Sequence, residues 1–183
     1  KVLSSLTGYL TAASGRPTQT LKFTLATLQG SDDYQEKRRQ VGSAVLVWLL
    51  LWPLLLLIGG LLVWLLPGWL NITPDYIWLT RVATALLVLQ MILLTLADLP
   101  HAVMEGENIG YKRMGMSTLL VLVGGLFTAA AILLDTGIVG VALASVITTL
   151  ITGGFFLKVT QAYVPWFGIA KPARHALGKF VGL

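Results

Sequence analysis

VGSAVLVWLLLWPLLLLIGGLLVWLL, residues 41–66, carries no charge, and Ser43 is its one hydroxyl side chain. As a helix rising 1.5 Å per residue it reaches about 39 Å, more than the roughly 30 Å of a bilayer's hydrocarbon core. The stretch therefore reads as a transmembrane helix. Outward from it lie three more apolar runs, 77–97, 117–134 and 138–157, each close to or above the length that a crossing needs. The fold class that follows is all-α: a polytopic transmembrane helical bundle of four spans, preceded by a semi-polar N-terminal helical segment.

Composition agrees. The chain is 56% hydrophobic and 11% charged, against about 25% charged in an ordinary soluble domain, and its mean hydropathy is +0.80. A net charge of +5 and a pI near 9.7 would suit a nucleic-acid partner, but the basic residues sit beside apolar spans, so the charge reads as topology. Of the 13 Lys and Arg, all but Arg81 fall before the first span, between the second and third, or after the fourth. By the positive-inside rule the N-terminal segment, 100–116 and 158–183 are expected on the cytoplasmic side, and 67–81 and 135–137 outside. The expected location is a cell inner membrane with the C-terminal end cytoplasmic. There is no cysteine, so disulfides and thiolate metal sites are excluded.

Three regions are expected: 1–40, a semi-polar helical segment and basic linker; 41–157, the four-span bundle; and 158–183, an interfacial tail. Leu3, Leu6 and Leu10, then Leu21, Leu25 and Leu28, have helical spacing, interrupted near Pro17. Nine Ser and Thr make residues 1–29 too polar to face lipid all round, leaving two readings: an amphipathic pair on the membrane surface, or the polar end of a helix lining a wet cavity. Asp32 with Gln35, or Asp33 with Glu36, has capping-box spacing, so a helix should start there and rise through Lys37, Arg38 and Arg39 into the first span. Those three charges read as topology anchors. Pro53 predicts a kink, and Pro67-Gly68-Trp69 the end of the helix at the interface.

Gln90 stands mid-span, where hydrocarbon offers no hydrogen bond, so it needs a partner or a wet cavity. Arg81 is expected to snorkel to the outer interface. Asp98 is about 26 Å from it along the helix, too far to pair. His101 reads as interfacial; together with Glu105 and Glu107 it only weakly resembles a metal site, and no metal or other cofactor is expected. Gly124-Gly125 and Gly137-x-x-Gly140-x-Ala142-x-Ala144 should let helices approach closely, and the short 135–137 link makes spans three and four a tight hairpin. In the tail, Trp166 and Phe167 should sit at the membrane interface. With no nucleophile and base at recognisable spacing, the chain is not expected to be an enzyme.

The succession GSDDYQEKRR (30–39), a long span, an outer turn with Pro74, a span ending before Gly110-Tyr-Lys-Arg113, and the hairpin LLDTGIVGVALASVITTLI (133–151) is similar to the first half of polysaccharide flippases. These are the Wzx-like members of the multidrug, oligosaccharidyl-lipid and polysaccharide exporter superfamily. The tail VPWFGIAKPARHALGKF (164–180) resembles the segment before their seventh helix. The resemblance covers about the end of helix two through helix six. Such exporters have twelve to fourteen helices in two related halves, so both ends here look like cuts through a longer polypeptide. The resemblance implies export of a lipid-linked oligosaccharide by alternating access, with Arg16, Lys22, Arg81 and Gln90 as candidate substrate-binding residues. The expected partners are the bilayer, that substrate, and a missing second half or neighbouring membrane subunits. The alternative is a non-catalytic structural subunit of a larger membrane complex.

Overall fold

The computed structural model describes residues 18–171. Five helices carry them: α1 (18–27), α2 (Tyr34–Trp69), α3 (Ile77–Gly106), α4 (Met114–Leu133) and α5 (Gly137–Tyr163). Short 3-10 turns at Pro74–Tyr76 and Gly110–Arg113 lead into α3 and α4. Among the described residues there is no strand.

The start of α2 is the one the sequence suggests. The Asp33 carboxylate accepts a hydrogen bond from the Glu36 N–H at 3.0 Å, and the Ser31 hydroxyl accepts one from the Asp33 N–H at 3.2 Å. Two donors that have no acceptor within the helix are thereby satisfied at its N-terminal end. Asp33→Ala should lower thermal stability in micelles by about 1 kcal/mol; a midpoint within error of wild type would show that the cap contributes nothing.

α2 then runs unbroken through Pro53 and Pro67 to Trp69. A proline removes one N–H, but an apolar surrounding penalises opening any further backbone bond, so the helix continues past it. Trp48 and Trp52 pack edge to face just before Pro53, with centroids 4.7 Å apart. The second span also outruns its expected end at Ala97. α3 passes Pro100 and reaches Gly106, so 104–106, expected in a connecting loop, are helical. The extra turns are held by tertiary packing: Ala102, Val103, Met104 and Gly106 are all buried, and Thr160 of α5 donates to the Pro100 carbonyl at 3.3 Å.

The spans pack in the order α2, α3, α5, α4, with α3 between α2 and α5. Close approach uses small residues at each seam. A Cβ on Gly59 would strike Val88, one on Gly153 would lie 2.9 Å from the Ala97 Cβ, and one on Gly124 would lie 2.7 Å from Thr148. Gly125, expected to join Gly124, faces open space. The α4–α5 hairpin closes through Asp135 (φ 53) and Gly137 (φ 64), with the Thr136 hydroxyl donating to the Ala131 carbonyl at 2.7 Å.

The buried hydrophobic cluster is not in the middle of the spans. Leu21 and Leu25 of α1, Val41, Ala44 and Val47 of α2, Ala102 and Val103 of α3, and Val164 and Trp166 after α5 form one buried cluster. All belong to the end of the bundle where the basic residues lie, called here the basic end. Further along, the most apolar stretch of α4 is 6% buried and that of α5, the largest share, is 22%. Side chains such as Leu57, Leu126 and Leu133 stand open. Water would not tolerate so much apolar surface, and four helices are long and apolar enough to cross a bilayer. The chain is a multi-pass membrane protein whose spans face lipid.

Candidate functional site

The basic end is assembled from four separate segments. α1 lays Leu21 and Leu25 into the core and turns Lys22 towards α3, where its ammonium meets Glu105 at 2.9 Å. Thus the helical face expected at Leu21 and Leu25 is present, docked on protein. One turn into α2, Lys37 is 3% exposed and pairs with Glu107 at 2.9 Å. Its ammonium also lies 5.4 Å from the Trp166 ring centroid and 6.0 Å from that of Tyr34. A charge removed from water to this degree needs such a set of partners. Glu36 accepts from the Gln40 amide at 2.6 Å. Beside this cluster opens a polar pocket of about 280 Å³, whose lining includes Asp32, Tyr34, Lys37, Glu107, Tyr163 and Trp166.

The segment after α5 is strapped across α2. Arg38 Nε donates to the Trp166 carbonyl at 2.6 Å, and the Ala170 N–H donates to the Arg38 carbonyl at 3.3 Å. Trp166 is 4% exposed, so its ring fills protein core, where its position in the sequence suggests a ring turned to the lipid headgroups. Phe167 packs against the same core. The reason is the strap: its backbone makes one hydrogen bond to the Arg38 guanidinium and one to the Arg38 carbonyl, and these hold the ring under α2, where burial is gained without lipid. Lys37 and Arg38, expected only to anchor topology, hold the basic end together. Glu105 and Glu107, set beside His101 as a weak metal motif, serve as ion-pair partners, and His101 packs on Phe156 with centroids 5.8 Å apart. Among the described residues no three metal-ligating side chains converge.

The candidate substrate residues do not meet. Arg16 lies outside the described residues. Lys22 is committed to Glu105 at the basic end. Arg81 sits near the opposite end of α3, its guanidinium carbon 4.4 Å from the Trp64 ring centroid. Gln90 is about 14 Å further along α3 at helical rise, half-buried and mid-span. Helical geometry alone keeps them apart, since Arg81 and Glu105 on one helix are separated by about 36 Å.

Two apolar grooves follow the α3–α5 seam. One of about 540 Å³ near the opposite end is lined by Thr80, Ala83 and Leu87 of α3 and Ile138, Val141 and Ala142 of α5, among others. The other, about 550 Å³ and nearer the basic end, is lined by Leu93, Ala97 and Pro100 of α3, Gly153 and Leu157 of α5, and Phe167 of the strap, among others. Ala83, Gln90 and Ala97 are seven residues apart in turn and share one stripe of α3. Gln90 therefore stands on the line joining the two grooves. The two grooves were not legible beforehand, because they depend on α5 lying beside α3. Comparison with protein-family models, with curated proteins and with solved structures found no match for this chain.

Proposed function

We propose that this chain is one helical bundle of an exporter that moves lipid-linked oligosaccharide across the cytoplasmic membrane by alternating access, its basic end and tail on the cytoplasmic side. The observation that carries the reading is the placement of Gln90 between two apolar grooves on a single stripe of α3. An amphiphile with a long hydrocarbon chain needs an apolar track, and its phosphate or sugar part needs hydrogen-bond donors along it. The grooves suit the first and a mid-span amide suits the second. The resemblance of 30–39, 110–113 and 133–151 to the polysaccharide flippases supports the same reading, as does the sorting of Lys and Arg to one end.

The test is photo-crosslinking in native membranes. A photoreactive residue at Leu87 or Leu93 should capture a radiolabelled polyprenyl-pyrophosphate oligosaccharide, and Gln90→Leu should lower that yield about tenfold, the loss expected for a hydrogen bond to a charged group. Equal yields from the variant, or capture of bare polyprenol alone, would remove the reading. The alternative, a non-catalytic structural subunit of a larger membrane assembly, draws on α4, whose Leu122 and Leu126 are 60% and 69% exposed. It predicts that photoreactive groups at those two positions capture another polypeptide in place of lipid.

A further inference from the structure

We infer that Arg81, with Trp64, forms a binding site for the phosphodiester of a bilayer glycerophospholipid at the end of the bundle opposite the basic one. Among the described residues Arg81 is the one cation at that end. Its guanidinium carbon lies 4.4 Å from the Trp64 ring centroid, so the charge sits over the indole. That contact supplies the group with no hydrogen-bond acceptor. Its Nε is covered by neighbouring atoms and has no hydrogen-bond acceptor, and no carboxylate of the described residues pairs with the group. Asp75 and Asp135, the acids at that end, are both exposed and neither pairs with it.

A guanidinium does not lose its proton in a protein, so the charge is permanent and, with no carboxylate beside it, is open to an anion from outside the chain. Depth selects the anion. Arg81 is four residues into α3, about 6 Å along the axis from Ile77, the level at which headgroup phosphates meet hydrocarbon. The surrounding aromatics mark the same level: Trp64, Trp69 and Trp78 are 67%, 61% and 72% exposed, as expected of an interfacial belt. A phosphodiester presents two anionic oxygens to a planar fork, the geometry in which Arg exceeds Lys, while its acyl chains lie along the exposed apolar faces of α2 and α3. This assignment takes Arg81 away from a transported substrate and gives it to the bilayer, so it stands apart from the transport reading.

The test is native mass spectrometry of the 183-residue chain in detergent, titrated with phosphatidylglycerol and, separately, with diacylglycerol of the same chains. Wild type should hold one phosphatidylglycerol about tenfold more tightly than Arg81→Gln, with Arg81→Lys and Trp64→Leu between them. Diacylglycerol affinity should be the same in all four proteins. Millimolar inorganic phosphate should leave the lipid bound, because the site needs phosphate at membrane depth. Equal phosphatidylglycerol affinity in Arg81→Gln and wild type would overturn the site. So would a parallel loss of diacylglycerol affinity, or displacement by inorganic phosphate. Far-UV circular dichroism checks that each variant keeps its helix content; should Arg81→Gln lose it, Arg81→Lys and Trp64→Leu decide the outcome on the same criteria.

Discussion

Glu107→Gln is expected to destabilise the chain by about 3 kcal/mol, the low end of the cost of stranding a buried charge. Lys37, 3% exposed, would keep its ammonium in the protein while losing the only carboxylate that pairs with it among the described residues. The rings of Tyr34 and Trp166 would remain, at 6.0 and 5.4 Å, but a cation–π contact is worth on the order of 1–2 kcal/mol and does not replace a counter-ion. The polar pocket beside the pair admits water and places the cost at the low end. Reversible unfolding in mixed micelles measures the loss. Lys37→Met in the same background should recover most of it, since the stranded charge is then gone. Added salt should not recover it, because screening is weak for a buried group. A loss under about 1 kcal/mol, or equal losses in the single and double variants, would mean that the pair is not a structural lock.

Gly42→Val should detach the strap. A Cβ at position 42 falls on the Ala170 carbonyl oxygen, with the Ile169 side chain 3.6 Å away, and a backbone atom cannot turn aside as a flexible side-chain end can. In an exposed helix Gly→Ala gains about 1 kcal/mol from propensity, so the sign at Gly42 separates packing from propensity. Gly60, on the same helix, has nothing within 4 Å of its would-be Cβ. Gly60→Ala should therefore be neutral or slightly stabilising. Gly42→Ala should lose about 2 kcal/mol and Gly42→Val more, within the range that overpacking commonly costs. Release of the strap should free the Arg38–Trp166 and Ala170–Arg38 hydrogen bonds. The readouts are a red-shift of Trp166 fluorescence, in a background where the other five Trp are Phe, and faster chymotryptic cleavage after Phe167. If Gly42→Ala and Gly60→Ala behaved alike, the contact with Ala170 would carry no energetic weight.

These two variants disturb contacts made by residues whose local sequence suggests other duties. Lys37 and Arg38 belong to a basic run beside a span, which reads as a topology signal. Trp166 belongs to a Trp-Phe tail, which reads as an interface anchor. Each reading follows the local rule, and each is overridden by a contact more than 60 residues away in the chain. Arg81 beside an apolar span reads as snorkelling, and sequence does not tell that Trp64 receives its guanidinium. Gln90 is legible as a polar group in hydrocarbon, but the grooves on either side of it arise only because α5 lies along α3.

Where local rules suffice, the chain follows them closely. The Asp33 cap, the four apolar helices and the hairpin through Asp135 to Gly137 are all settled within a few neighbouring residues. Lipid makes this possible: a helix satisfies its own backbone hydrogen bonds, so an apolar run of sufficient length is a span whatever surrounds it. The positions of the helix ends beyond the apolar runs, the order α2, α3, α5, α4, and the core around Leu25, Val103 and Trp166 were decided by the tertiary structure. They rest on burial and ion pairing between segments distant in the chain, and those energies exist only once the loops have brought the segments together.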